Sequence, residues 1–170
     1  MIVLEGGLVD ACFDIAYPFR GIWRVQNSPA DRLPSHGTAA FASAHAIDFV
    51  PISPFGRSAP IRLRSPLRPE LPDRFIGFGR PIRAPIDGRV IAAGDTAIDH
   101  HAHRGFPSIG YALTQRRRVS RGWRALVGNS TEPHLHIQAI DRPDVDRAQA
   151  VPLTFHDQIP HNGEVIDVPE

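Results

Sequence analysis

The chain has 170 residues, 42% hydrophobic and 22% charged, the proportions of an ordinary globular domain, which exclude a wholly disordered or fibrous chain. All 19 basic residues are arginine, so a lysine nucleophile, a lysine Schiff base and a Walker-type phosphate lysine are excluded. A formal net charge of +1 gives no overall attraction to nucleic acid or to an anionic membrane, and the lone Cys12 excludes an internal disulfide and a thiolate-rich zinc site.

The 17 prolines and 14 glycines predict short elements, because proline cannot donate to a helical or sheet ladder. The first residues, MIVLEGGLVDACFDIAYPF, have no basic start and carry Glu5, Asp10 and Asp14 through the apolar stretch, which argues against a secretory signal. Residues 1–16 are read as an N-terminal extension, and no run approaches the roughly 20 apolar residues of a membrane span. Residues 20–26 (RGIWRVQ) alternate and predict a strand, followed by the turn-forming NSPADRLPSHG. Residues 44–51 (AHAIDFVP) predict a second strand, and residues 53–74, rich in proline and arginine, a surface loop.

Residues 79–93 predict a hairpin around Asp87-Gly88, since glycine accepts the positive φ of such turns. DTAIDHHAHRGFP reads as a polar, histidine-rich loop, residues 109–127 fit an extended or a helical run equally, and Arg116, Arg117, Arg118, Arg121 and Arg124 read as a solvated basic loop. A strand is predicted over residues 134–141, a short one over 151–155, and residues 156–170 as a tail or edge element. The chain reads as one mostly β domain spanning 17–155.

Nine histidines are a rich supply of metal ligands or acid/base groups. His134 and His136 lie two apart on a predicted strand, so both emerge on one face and can supply a ligand with a neighbouring acid/base, or two ligands. The preceding GNSTEP turn pins the start of that strand. Asp48 sits in the apolar AHAIDFV, where a carboxylate needs a hydrogen-bond partner or a cation. Two histidines compete for the remaining position. His45, three residues before Asp48 on one predicted strand, points to the opposite face; His36, separated from Asp48 by 11 residues of a turn-prone stretch, has the chain length to leave and return. His36 is preferred, with His45 as the alternative.

In that order, SHG…AIDFVP, GRPIRAPIDGRVIAAGD and GNSTEPHLHIQ resemble the lysostaphin/LytM-type zinc metallopeptidases, which hydrolyse peptide bonds of bacterial peptidoglycan outside the membrane. The resemblance implies a β-sheet metallopeptidase domain of the duplicated-hybrid-motif kind, zinc held by His36, Asp48 and His136, and His134 as the catalytic histidine. It also implies a peptidoglycan peptide as substrate, with no nucleic-acid partner. Two imidazoles and one carboxylate leave a fourth tetrahedral position for water, as hydrolytic zinc sites require, and a histidine beside it suits general-base catalysis or oxyanion stabilisation. Asn129 and Ser130 are candidates for shaping the groove.

The chain departs from the family pattern between Val127 and Ser130, where a strand pair carrying a further catalytic histidine is missing; His100, His101 and His103 are the histidines that lie near in sequence. Two other readings follow. One is a catalytically impaired, metal- or cell-wall-binding scaffold or activator. The other is a histidine phosphocarrier-like domain, against which Asp48 weighs, because a carboxylate beside a phosphohistidine repels the phosphoryl group.

Overall fold

The computed structural model describes residues 1–3, 12–60, 69–94, 99, 101–102 and 132–170. His100, His103, Asn129, Ser130, the arginine cluster and residues 109–127 lie outside the described residues. The described chain is mostly β, with only two short 3-10 turns, at Ala40–Ala42 and Pro72–Arg74. No described helix is long and apolar enough to cross a membrane.

Nine strands are present among the described residues: β1 (Ile2–Val3), β2 (Phe13–Ile15), β3 (Gly21–Gln26), β4 (Ile47–Pro51), β5 (Leu135–Ile137), β6 (Ala139–Ile140), β7 (Ala150–Val151), β8 (Leu153–Phe155) and β9 (Val165–Val168). They form a four-stranded antiparallel sheet in the order β5-β4-β3-β9, a parallel pair β2-β8, and a three-stranded sheet β1-β6-β7. The chain divides into two compact units, residues 1–51, 81–88 and 135–170, and residues 52–80 and 89–134.

The first unit owes its core to alternation along the strands. In β3, Trp23 and Val25 are buried while their neighbours are half-exposed, the period-2 pattern of a strand with one face inward. Phe19 stacks on Trp23 at 4.3 Å between ring centroids, and Phe155 meets Phe49 edge-on at 5.3 Å; Ile15, Ile47, Ile137, Val151 and Leu153 complete the cluster. Each fully buried large side chain of this kind contributes about 1.5–3 kcal/mol. The indole N–H of Trp23 donates to the Arg20 carbonyl at 2.8 Å, so burial leaves no polar group of that ring unmatched.

Two expectations change. Residues 13–15, placed in an N-terminal extension, form β2 and pair with β8 through Phe13↔Leu153 and Ile15↔Phe155, because Ile15 has an apolar core to enter. Over residues 156–170, of the tail or edge element expected, the edge element forms: β9 pairs with β3. Their lead-in is tied by Ser28 Oγ donating to the Pro160 carbonyl at 2.6 Å and by Asn162 N–H donating to Asp31 at 2.6 Å.

The hairpin expected over residues 79–93 is absent. Its backbone is committed elsewhere: Arg83 N–H donates to the Pro18 carbonyl at 2.7 Å, and Ala16 N–H to the Pro85 carbonyl at 3.0 Å. Pro81 and Pro85 have no N–H for a ladder, and Gly88 does not adopt the positive φ of a hairpin turn. Tertiary pairing with residues 16–18 thus replaces the local turn.

The described part of the second unit has a smaller apolar cluster, consisting of Ala59, Phe75 and Ala102, with reciprocal backbone bonds between Glu70 and Ala102 at 2.8 and 2.9 Å. Ser58 donates its hydroxyl to the buried Glu132 carboxylate. The described part of the expected 53–74 loop holds no strand.

Candidate metal centre

Sheet register makes the first contact of the site. On the four-stranded sheet, Asp48 of β4 lies directly opposite His136 of β5 and, on its other side, opposite Gln26 of β3. Residues directly opposite on antiparallel strands present side chains to one face within reach of each other, and His136 Nδ1 lies 2.9 Å from Asp48 Oδ1. All five residues of β4 are buried. The carboxylate of Asp48 is therefore held at the floor of the cluster, its side chain 6% exposed against 20% for His36 and 38% for His136.

His36 reaches the carboxylate from the long connection between β3 and β4. That connection is closed by Ser35 N–H donating to the Ala44 carbonyl at 3.0 Å and by a turn in which Gly37 N–H donates to the Pro34 carbonyl at 2.9 Å. Gly37 has φ +74°, a left-handed conformation that glycine adopts at no steric cost. His36 Nε2 lies 3.1 Å from Asp48 Oδ2, and the His36 and His136 rings meet edge-on at 4.9 Å. One ligand atom from each of His36, Asp48 and His136 lies within 4.8 Å of the others.

The outer nitrogens of both rings are also held. The Ser35 hydroxyl lies 2.9 Å from His36 Nδ1 and 3.3 Å from the Ser43 carbonyl, and as both donor and acceptor it can serve either tautomer of that ring. The Gln138 amide donates to the Phe41 carbonyl at 3.1 Å and turns its oxygen to His136 Nε2 at 3.0 Å. His136 thus faces an acceptor at each ring nitrogen, Gln138 Oε1 and Asp48 Oδ1, whereas His36, whose Nδ1 meets a hydroxyl, can give Nε2–H to Asp48 Oδ2. Asn27, at the end of β3 in a left-handed conformation of φ 50°, adds an amide donor to Asp48 Oδ2 at 2.7 Å.

A ring with acceptors at both nitrogens beside a buried carboxylate favours a positive species, which either a second proton on His136 or a cation among the three residues supplies. The donor set therefore fits a divalent cation with a nitrogen and carboxylate preference, as zinc has. Burial by itself lowers the basicity of His136, but hydrogen bonds to Asp48 and Gln138, with the carboxylate charge, outweigh it and hold the imidazole above its ordinary value. The ring thus already sits in a field that favours positive charge.

The structure brings His36, Asp48 and His136 together and leaves His45 out. Strand β4 begins at Ile47, so His45 occupies a turn before it, and strand alternation does not govern its direction. It is half-buried, and that burial lowers its basicity. His134 lies outside the three-residue group and in the second unit, on the lead-in to β5, which starts at Leu135 and not at 134. Its Nδ1 is 3.0 Å from the Glu132 carbonyl, an acceptor only, so Nδ1–H is the donor of that bond. His101 is exposed and belongs to no metal-competent group among the described residues.

Three contributors went unread in the sequence: Asn27, Ser35 and Gln138. Gln138 carried a usable signal, since it continues the two-residue alternation of His134 and His136. Comparison with protein-family models, curated proteins and solved structures finds no match for this chain.

Proposed function

We propose that this chain holds a zinc ion on His36, Asp48 and His136 and hydrolyses peptide bonds, with peptidoglycan peptides as its substrate. The observation that carries the reading is the convergence of two imidazole nitrogens on one buried carboxylate, each ring held from behind by a hydrogen bond. When bound, zinc polarises a carbonyl and lowers the pKa of a bound water toward ~7. The substrate class and the hydrolytic chemistry come from the resemblance to lysostaphin/LytM-type enzymes.

The chain's own groups divide the work. Asp48 supplies the negative charge, and Asn27 fixes the rotation of its carboxylate. His134 is the general base: with Nδ1–H given to the Glu132 carbonyl, Nε2 takes a proton from the attacking water and returns it to the departing amine. The peptide C–N bond breaks, the water oxygen joins the acyl carbon, and no other reactant is needed.

A second reading, a chain that binds metal without turnover, is favoured by one observation: His134 stands outside the group formed by the other three residues. A phosphocarrier role is disfavoured, because the Asp48 carboxylate lies within hydrogen-bond distance of both imidazoles and repels a phosphoryl group on either. Zinc-loaded chain incubated with purified peptidoglycan separates the first two readings. New amino termini that disappear in His134→Ala and with a chelator support hydrolysis. Zinc retention with no release above the His134→Ala control supports the non-catalytic reading.

A further inference from the structure

Gln138 is 5% exposed and uses both ends of its amide. Its oxygen faces His136 Nε2 at 3.0 Å, and its nitrogen donates to the Phe41 carbonyl at 3.1 Å. Phe41 belongs to the connection between His36 and Asp48, and the chain there is unusual: Phe41 and Ala42 both have left-handed φ, 59° and 55°. Non-glycine residues held in that region cost roughly 1–3 kcal/mol each and persist only where their surroundings fix them.

We infer that Gln138 is a positioning residue of the metal centre, which sets the tautomer of His136 so that Nδ1, and not Nε2, is the ligand atom. The inference rests on the zinc reading above. An amide can present either its oxygen or its NH2 to an imidazole. The Phe41 carbonyl, an acceptor only, removes that freedom: it takes the NH2, so the oxygen must meet the ring and the ring must answer with Nε2–H. The backbone at Phe41 thereby chooses the proton position on a ligand that follows it by 95 residues in the chain.

The same amide also ties the strand segment bearing the third ligand to the connection joining the first two. Partners of this kind behind a metal-binding imidazole fix its orientation and raise its basicity, and their loss typically weakens metal affinity by 10–100-fold. Ser35 plays the matching part behind His36 with a hydroxyl, but a hydroxyl rotates, so the tautomer there is less firmly dictated.

The test compares Gln138→Met with Gln138→Glu, both of which lose the donation to Phe41 while only Glu retains an acceptor for Nε2–H. Zinc affinity is read by competition with a chromophoric chelator, and the ligand nitrogen by 15N imidazole shifts of zinc-loaded wild type. The expected result is Nδ1 coordination in wild type, a ~10–100-fold loss of affinity in Gln138→Met, and near-wild-type affinity in Gln138→Glu. Equal losses in both variants, equal affinity in Gln138→Met and wild type, or Nε2 coordination in wild type overturns the inference while leaving the metal site standing. Wild-type chain that binds no zinc overturns the metal reading and this inference with it.

Discussion

The two units of this chain are built on different principles. The first has a continuous apolar cluster around Trp23, Phe19, Phe49 and Phe155, crossed by a four-stranded sheet whose register places Asp48 opposite His136. The second has, among its described residues, a cluster of Ala59, Phe75 and Ala102 and a single two-residue bridge. All three proposed ligands belong to the first unit and the proposed general base to the second. In the proposed reading, metal binding would depend on the sheet of the first unit and turnover on a lead-in held by the Glu132 carbonyl.

The sharpest way to break that comparison is to remove one aromatic from each unit. Trp23→Ala is expected to cost about 3–5 kcal/mol and to abolish zinc binding along with the cooperative melt, because Trp23 lies in the strand that carries Asn27 at its end. Phe75→Ala removes the one large side chain of the second cluster and is expected to leave zinc affinity within a few-fold of wild type while reducing peptide release. Equilibrium dialysis and denaturant melts of both variants decide the matter; zinc loss in Phe75→Ala would show that the two units do not behave independently.

A smaller effect sharpens the account of the first unit. Asp31 accepts the Asn162 N–H and pairs with His161 at 3.0 Å. The backbone bond to Asn162 and then the pairing with His161 hold the Asp31 carboxyl below its ordinary 3.8, and the hydrogen bond and charge of Asp31 hold His161 above its ordinary 6.5. A depressed carboxyl contributes stability above its ordinary value that is lost as pH falls through the folded-state value. A raised imidazole contributes stability below its ordinary value that is lost as pH rises through the folded-state value. The difference in Tm between wild type and Asp31→Ala is therefore expected to be greatest between about 3.8 and 6.5. It narrows on the alkaline side without vanishing, because the bond to Asn162 N–H survives there. A difference that grows above neutral pH contradicts this pairing.

Much of the site was legible because it depends on strand geometry. A carboxylate in AIDFV implies a buried charge in search of a partner, and the alternation in HLHIQ supplies one across the sheet. The preference for His36 over His45 agrees with the cluster, although its premise fails: His45 lies in a turn, where alternation does not apply. Ser35 was illegible as a contributor because its partner, the Ser43 carbonyl, is set by loop closure and not by period; Gln138 continued the alternation of HLHIQ, but its contact with Phe41 depends on the same loop, and Asn27 reaches Asp48 just past the end of β3. The Asp87-Gly88 turn misled for the same reason, since residues 83 and 85 spend their backbone groups on residues 16–18.

The central claim is that sheet register, with the β3–β4 connection, assembles a metal site from His36, Asp48 and His136. Its most direct test is the zinc content of purified wild type and Asp48→Asn after dialysis against a weak chelator, with melts to show that both are folded. The account predicts about one zinc per wild-type chain and none retained by Asp48→Asn, whose neutral amide cannot balance the ion beside two imidazoles. A folded wild type that retains no zinc, or an Asp48→Asn chain that retains as much as wild type, contradicts it.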